Sequence, residues 1–194
     1  MARVLSLVRF MVEQPVLSTA RVLLRPFRLE DAPEVQRLAC DREIAATTLR
    51  IPHPYPDGAA AEWIAGLASR YEKGESVAFA ITRASDGVML GAIGLDITRE
   101  HDRAELGYWI GRPYWGNGYC TEAARAVVAY AFDGIGLNRI TAAHFAHNVA
   151  SGRVMQNVGM TYEGHRIQEI KKWGKFEDLI LYGLVRANRI GINE

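Results

Sequence analysis

The chain has little of what marks several large classes of protein. Its 194 residues include only two cysteines, Cys40 and Cys120, which are too few and too far apart for a disulfide framework or a zinc site. No apolar run approaches the roughly 20 residues that a membrane-spanning helix needs. A formal net charge of +1 gives no overall field that would attract nucleic acid or an anionic membrane. We therefore expect a cytoplasmic protein whose partners include neither nucleic acid nor membrane.

What is present is the composition of one globular domain. Hydrophobic residues make up 49% of the chain and charged residues 23%, which is typical of a protein with a buried core. The length also suits a single domain. We expect an extension at residues 1–18, the domain at residues 19–188 and a tail at residues 189–194. The extension is not read as a signal peptide, because Arg3 and Arg9 interrupt its apolar residues and no small-residue cleavage site follows.

Hydrophobic periodicity and turn residues predict a mixed α/β fold with the element order βααββ followed by βαβαββ. Strands are predicted at residues 21–28, 76–83, 88–99, 104–110, 139–147, 161–170 and 176–185. Helices are predicted at residues 30–41 and 59–73, from the loop 111–118 to about residue 132, and at residues 150–158. The dipeptide Asp86-Gly87 predicts a hairpin, and three prolines exclude regular structure from residues 51–58.

The segment 105–123 carries the clearest chemical signal. A predicted strand enters a predicted helix through a loop that contains Gly116 and Gly118. At a helix start about four amide N–H groups lack partners and the peptide dipoles add, so backbone alone can bind a phosphate. Glycine lets the backbone approach the phosphate oxygens. A plain turn is the alternative interpretation. Motifs for nucleotide hydrolysis and dinucleotide binding are absent, since no Gly-x-x-x-x-Gly-Lys-Ser/Thr occurs and position 121 is Thr.

Other short motifs accompany this segment in a fixed order along the chain. They are residues 19–26 (TARVLLRP), 30–32 (EDA), 114–123 (YWGNGYCTEA), 148–151 (NVAS), 158–160 (VGM), 163–164 (EG), 174–178 (GKFED) and Tyr182. Together, over residues 19–186, they resemble the GNAT superfamily of N-acetyltransferases, within it the branch that acetylates the N-termini of ribosomal proteins.

The resemblance implies a fold and a reaction. The fold is the acyl-CoA N-acyltransferase fold, a mixed, largely antiparallel sheet flanked by helices, with splayed central strands. The reaction transfers acetyl from the co-substrate acetyl-CoA to a primary amine, with the N-terminal α-amine of a protein or peptide as the first hypothesis. A small-molecule amine, or a non-catalytic regulator that binds acyl-CoA, is the alternative. The resemblance also allows a homodimer, with the apolar stretch 4–12 as interface candidate.

The resemblance further implies where acetyl-CoA binds. Gly116 and Gly118 match the family's pyrophosphate loop, but Pro113 replaces its first basic or amide residue, which removes one side-chain contact. Asn148 matches the asparagine that binds the pantetheine, although Asn148 and Ser151 could instead cap the following helix. No metal is expected. The cofactor-binding candidates are Tyr108, Trp109, Ile110, Trp115, Gly116, Asn117, Gly118, Tyr119, Cys120, Asn148 and Ser151.

Acetyl transfer requires a neutral amine, so a base should lie near the acceptor. Glu105 is the first candidate and Glu169 the second. A surface ion pair with Arg103 is the alternative role for Glu105. Strand alternation places Glu105 and Trp109 on the same face, and the resemblance makes His53 and Tyr55 acceptor-side candidates together with Glu105.

The reaction also requires a polarised thioester carbonyl and a proton for the leaving thiolate. A backbone N–H at Trp109 or Ile110 is expected to polarise the carbonyl. The family position that often carries an acidic tyrosine is Met155 here, which leaves Ser151, a water or no dedicated acid. Three further expectations concern residues without a catalytic role. Cys120 is a small buried residue. Arg153 lies on a solvated helix face, with contact to a cofactor phosphate as the alternative. His144 and His147 point to opposite faces of a strand and share no metal.

Overall fold

The computed structural model describes residues 13–189. They form one eight-stranded sheet with helices packed against it. Residues 1–12, with the dimer-interface candidate 4–12, and the tail residues 190–194 lie outside the described residues. No helix within residues 13–189 is both long and apolar enough to cross a membrane.

The strands and helices follow one another in the predicted order, with two additions. The strands are β1 Leu17–Ser18, β2 Val22–Pro26, β3 Ser76–Arg83, β4 Met89–Thr98, β5 Arg103–Ile110, β6 Arg139–Phe145, β7 Thr161–Lys172 and β8 Lys175–Val185. The helices are α1 Ala32–Ala39, α2 Arg42–Thr47, α3 Ala59–Glu72, α4 Tyr119–Ala129 and α5 Val149–Asn157.

The additions are β1 and α2, so the predicted order βααββ was incomplete. Strand β1 pairs with β2 from Leu17, opposite Leu24. Helix α2 begins after Asp41, whose carboxylate accepts a hydrogen bond from the Glu43 N–H at 2.9 Å, a common N-cap arrangement.

Two predicted helix bounds also change. The helix expected from residue 30 opens with a 3₁₀ turn, Leu29–Asp31, and α4 passes into a π-helical turn, Tyr130–Gly134.

The strand order in the sheet is β1-β2-β3-β4-β5-β6-β8-β7, and neighbours are antiparallel except β5 and β6, which are parallel. The predicted hairpin of β3 and β4 is confirmed. Strands β5 and β6 pair only from Arg103, opposite Arg139, to Glu105, opposite Thr141, although both strands continue. They therefore diverge beyond Glu105, which confirms the splayed central strands.

Two hydrophobic clusters hold helices on the two faces of the sheet. In β3, Phe79 and Ile81 belong to the larger cluster, with α4 and α5, whereas Ala80 belongs to the smaller one, with Val35 of α1 and Ile64 of α3. This alternation is what a strand buried on both faces requires. The cleft between β5 and β6 therefore lies between two helical layers.

Candidate active site

A cavity of about 870 Å³ opens where β5 and β6 diverge. One end reaches the glycine loop at Gly116 and Gly118, and the other reaches α3 and the loop that precedes it, at Tyr55 and Trp63. The walls between these ends come from β4, β5, β6 and the first turns of α5. The cavity thus joins a predicted phosphate site to a predicted acceptor site.

The glycine loop has backbone geometry that favours glycine. Gly116 and Gly118 both have φ of +77°, in the left-handed region that other residues rarely occupy. Gly118 is the N-cap residue of α4, so the free amides of that helix start beside it. A Cβ at Gly116 would meet no atom within 4 Å. The space in front of the loop is therefore open to a ligand.

Arg21, just before β2, braces this loop from the N-terminal end of the domain. Its Nε donates to Glu122 Oε2 at 2.7 Å and its Nη1 donates to the Asn117 carbonyl at 3.0 Å. A Cβ at Gly118 would lie 3.4 Å from Arg21 Nη2. Pro113 cannot supply the basic side chain that the family pattern has at its position, and Arg21 brings a guanidinium to the same loop from elsewhere in the chain.

Glu122 anchors Arg21 in the first turn of α4. Burial acts to raise the pKa of Glu122, but hydrogen bonds from Thr19 and Arg21 outweigh it, so the pKa is lowered and the carboxylate stays ionised. An acidic side chain is also favoured at a helix N-terminus. Because Glu122 accepts two hydrogen bonds from Arg21, the guanidinium is held beside the glycine loop.

We expect Arg21→Ala to weaken coenzyme A binding about fivefold to tenfold. A hydrogen bond to a charged group contributes about 1.5–3 kcal/mol, and solvent screening reduces this value because the Arg21 side chain is 53% exposed. Calorimetric titration with coenzyme A measures the change. Arg166→Ala is the matched control, since Arg166 forms a similarly exposed pair with Glu169 outside the cavity lining. Equal affinities for both variants would remove Arg21 from the site.

The backbone of β5 has free groups where β6 leaves it. The Gly111 N–H donates to a carbonyl of β4 at 2.8 Å. Because successive N–H groups along a strand point to opposite sides, the Trp109 N–H also faces β4, whereas the Tyr108 and Ile110 N–H groups face the cleft. Of the two predicted donors, Ile110 is the one that faces the diverging side.

Tyr108 links β5 to the start of α5 across the cleft. Its hydroxyl lies 2.9 Å from Ser151 Oγ and donates to the Ser151 carbonyl at 3.0 Å. Burial raises the pKa of Tyr108 above its usual range, with a smaller opposing effect from Ser151, so the phenol stays protonated. Met155 is buried in the cavity wall, and the hydroxyls of Ser151 and Tyr108 lie on this side of the cavity.

Asn148 caps α5 and also reaches the acceptor side. Its Oδ1 accepts a hydrogen bond from the Ser151 N–H at 3.2 Å, and its Nδ2 donates to the Thr47 carbonyl at 3.4 Å. The capping interpretation of Asn148 is therefore observed. Asn148 and Ser151 also line the cavity, so their predicted cofactor role stays compatible with the cap.

Glu105 lines the acceptor half of the cavity with its carboxylate unpaired. Within residues 13–189 its side chain makes no hydrogen bond and no ion pair within 4 Å, so the pair with Arg103 is not formed, although its charge contributes to raising the pKa of Arg50. It stands opposite Asp96 in the register of β4 and β5. Asp96, by contrast, accepts from Arg50 at 2.5 Å and from Arg70 at 2.8 Å. Two carboxylates are thus adjacent, and one is already neutralised.

Most of the predicted site residues come together in this cavity. The lining includes Tyr55, Glu105, Tyr108, Trp109, Ile110, Trp115, Gly116, Gly118, Tyr119, Cys120, Asn148 and Ser151. Asn117 and His53 are not in the lining: the Asn117 amide donates to carbonyls of its own loop, and the His53 ring lies 6.1 Å from the Trp173 ring. Burial raises the pKa of the Cys120 thiol to about 12, which suits an unreactive wall residue.

Three other ionisable residues considered from the sequence, Glu169, His144 and His147, lie in different surroundings. Glu169 is outside the cavity lining and pairs with Arg166 at 2.9 Å. His144 is buried, faces the cavity and lies against Gly152 of α5. His147 follows the end of β6 and contacts Glu177 and the Ala46 carbonyl. In the part of the chain that the structure describes, no group of three or more His, Cys, Asp or Glu could hold a metal ion.

Sequence reasoning missed several residues that shape the cavity. Trp63 and Leu67 of α3, Asp96 of β4, and the arginines Arg50 and Arg70 all line its acceptor half. Asp96 could have been found, because it lies in the predicted strand 88–99 and Glu105 lies in the predicted strand 104–110, which follows it along the chain. The arginines gave no signal, because Arg50 and Arg70 lie 46 and 26 residues from Asp96 along the chain.

Comparisons of this chain with known proteins show the family to which it belongs. Residues 21–161 match the family model described as acetyltransferase (GNAT) domain, so the chain belongs to the GNAT acetyltransferase family. It is an acetyl-CoA-dependent N-acetyltransferase. The uncharacterized N-acetyltransferase YoaA of Bacillus subtilis (strain 168) is 30% identical over 174 residues, which are 89% of this chain and 97% of YoaA.

Two solved structures share the fold. RimL, a ribosomal L7/L12 α-N-protein acetyltransferase in complex with coenzyme A, has a TM-score of 0.81 and 16% identity, covering 88% of this chain and 98% of RimL. RimJ of Mycobacterium smegmatis, in complex with CoA-disulfide, has a TM-score of 0.76 and 24% identity, covering 86% of this chain and 82% of RimJ.

Proposed function

We propose that this enzyme transfers the acetyl group of acetyl-CoA to the N-terminal α-amine of a protein or peptide. The observation that carries the proposal is the continuous cavity that joins the glycine loop to an acceptor pocket with balanced charges. The splayed strands separate the two ends, so the cofactor and the acceptor can approach one another from opposite sides.

The residues around the glycine loop fit the pyrophosphate and nucleotide portions of acetyl-CoA. The open space at Gly116 and the free amides at the start of α4 suit a phosphate. A second pocket of about 410 Å³ adjoins Gly118 and is lined by Arg21, Thr121 and Arg125. Its two guanidinium groups and polar side chains suit the charged end of a nucleotide better than an apolar ligand.

The charges in the acceptor half favour a single amine over a polycation. Two arginines, Arg50 and Arg70, line this half of the cavity, against two acids, Asp96 and Glu105. A polyamine or an aminoglycoside would need an excess of carboxylates. The apolar lining includes Tyr55, Trp63, Leu67 and Ile51. Such a surface suits an N-terminal residue with an apolar side chain, whose backbone carbonyls can accept hydrogen bonds from arginine.

In the proposed mechanism the Glu105 carboxylate takes the proton of the acceptor amine, directly or through a water. The neutral nitrogen attacks the thioester carbonyl carbon, and the Ile110 N–H stabilises the charge that develops on the carbonyl oxygen. The carbon–sulfur bond then breaks with its electron pair on sulfur. The nitrogen loses its second proton as the amide forms, and Ser151, held by Tyr108, gives a proton to the thiolate and takes up the one that leaves the nitrogen, so that the products are a thiol and an amide.

We expect Tyr108→Phe to lower kcat about tenfold while the dissociation constant of coenzyme A stays unchanged. The substitution removes the hydroxyl that orients Ser151, and a positioned acid or base contributes about 100-fold or more, of which Ser151 itself retains part. Steady-state kinetics and calorimetry measure the two quantities. Tyr162→Phe is the control, because Tyr162 is exposed and outside the cavity lining. An unchanged kcat in Tyr108→Phe would show that the contact between Tyr108 and Ser151 does not contribute to catalysis.

Free-thiol release from acetyl-CoA tests the acceptor class. The panel contains peptides with different N-terminal residues, spermidine, an aminoglycoside and single amino acids. Turnover is expected on peptides, with preference for an apolar first residue, and little on the polycations. A preference for spermidine or the aminoglycoside would overturn the proposal and assign a small-molecule acceptor.

A further inference from the structure

The loop that follows α2 forms one wall of the acceptor half of the cavity. Thr48, Leu49, Arg50 and Ile51 all line it. Backbone carbonyls on this stretch and at the end of α2 are bound by side chains from the C-terminal part of the chain. The Ala46 carbonyl contacts His147 Nε2 at 3.3 Å, and the Thr47 carbonyl accepts from Asn148. The position of this wall therefore depends on residues 101 positions away in both pairs.

Lys172, at the end of β7, provides the largest share of these contacts. Its Nζ donates to the carbonyl of Thr48 and approaches those of Leu49 and Ile51 at 3.5 Å each. Lys172 is not in the cavity lining. One ammonium with three donors thus gathers three carbonyls from behind the wall, which fixes the path of the loop without touching the acceptor.

The turn after Lys172 has an unusual residue. Trp173 and Gly174 join β7 to β8 with φ of +48° and +82°. Two-residue hairpin turns with positive φ at both residues favour asparagine, aspartate or glycine. A bulky residue at positive φ is an outlier. The Trp173 ring lies 6.1 Å from the His53 ring, and the Arg42 guanidinium lies 5.4 Å from the Trp173 ring. The tryptophan at positive φ therefore lies against the start of α2 on one side of the loop 48–51 and against His53 on the other.

We propose that the β7–β8 tip, residues 172–174, selects the acceptor by setting the position of the loop 48–51. Lys172 is the positioning residue and Trp173 holds the tip against α2 and His53. The proposal rests on the proposed function, since it concerns the acceptor half of that site. It also explains why His53, outside the cavity lining, is near the site.

Lys172→Met tests the proposal directly. We expect the KM for the best peptide of the panel to rise at least about tenfold, because small displacements of positioning groups have large effects. The dissociation constant of coenzyme A should stay within about twofold, since the glycine loop is at the other end of the cavity. The kcat/KM ratio between peptides with apolar and polar first residues should fall, a change that loss of folded protein alone cannot produce. Lys171→Met is the control, because Lys171 Nζ lies 5.6 Å from the Phe176 ring and makes none of these carbonyl contacts.

Trp173→Asn is a second variant, and it tests the proposal even if Lys172→Met does not fold. Asparagine suits the positive φ at this position, so we expect folding to be preserved while the ring no longer packs against His53 and Arg42. The selectivity ratio should fall as in Lys172→Met. Unchanged selectivity in both folded variants, or an equal effect in Lys171→Met, would overturn the proposal. If the unsubstituted enzyme releases no thiol with any acceptor, the proposed function fails instead.

Discussion

Gly118→Val is expected to raise the dissociation constant of coenzyme A about tenfold to 100-fold. Valine cannot readily adopt φ of +77°, and its side chain would enter the space beside Arg21 Nη2. One or two charge-assisted hydrogen bonds to the pyrophosphate would be removed, at about 1.5–3 kcal/mol each, and about 1.4 kcal/mol corresponds to tenfold in affinity. Isothermal titration calorimetry measures the change.

Gly58→Val provides a matched control for the strain in this variant. Gly58 is the N-cap residue of α3, with φ of +80°, and a Cβ there meets no atom within 4 Å. Both substitutions should destabilise the fold by about 1–3 kcal/mol. Only Gly118→Val should weaken coenzyme A binding. Equal affinity in the two folded variants would show that the glycine loop does not bind the cofactor.

Glu105→Gln is expected to lower kcat/KM for the acceptor about 100-fold near neutral pH, the typical contribution of a positioned base. The free amine of the acceptor is mostly protonated below its pKa of about 8. Without the base, only the small neutral fraction reacts, so the deficit should be largest at low pH and should shrink as pH rises. A pH profile of kcat/KM over the range from about 6 to about 9, which brackets that pKa, measures this.

Glu169→Gln distinguishes a specific base from a general charge effect. Glu169 is the second candidate base, and it pairs with Arg166 outside the cavity lining. Its variant should retain the rate and the pH profile of the unsubstituted enzyme. If Glu105→Gln keeps the full rate at low pH, Glu105 is not the base. If Glu169→Gln loses the rate instead, the second candidate takes its place.

The sequence predicted those features whose signals are local. The turn at Asp86-Gly87 between two β-like runs defined a hairpin with bounds close to the observed ones. Gly116 and Gly118 were identified because a strand, a glycine loop and a helix follow directly on one another. Helix α2 was missed, since six residues give too little periodicity to detect.

Contacts between distant parts of the chain could not be predicted. Arg21 reaches the Asn117 carbonyl across 96 residues, and Lys172 reaches the Thr48 carbonyl across 124. The Tyr108 contact with Ser151 spans 43 residues. Each contact depends on how strands and helices are arranged in three dimensions. Local patterns of side chains along the sequence do not reveal that arrangement. The family resemblance pointed to the glycine loop as the proposed cofactor site but not to these partners.

The most direct test of the acceptor uses two peptides that differ only in which amine is free. One has a free N-terminal α-amine, an apolar first residue and no lysine. The other has a blocked N-terminus and one internal lysine. After incubation with the enzyme and acetyl-CoA, mass spectrometry should find acetylation of the first peptide, dependent on Glu105. Acetylation of the blocked peptide alone, or of neither peptide while a small amine is modified, would contradict the account.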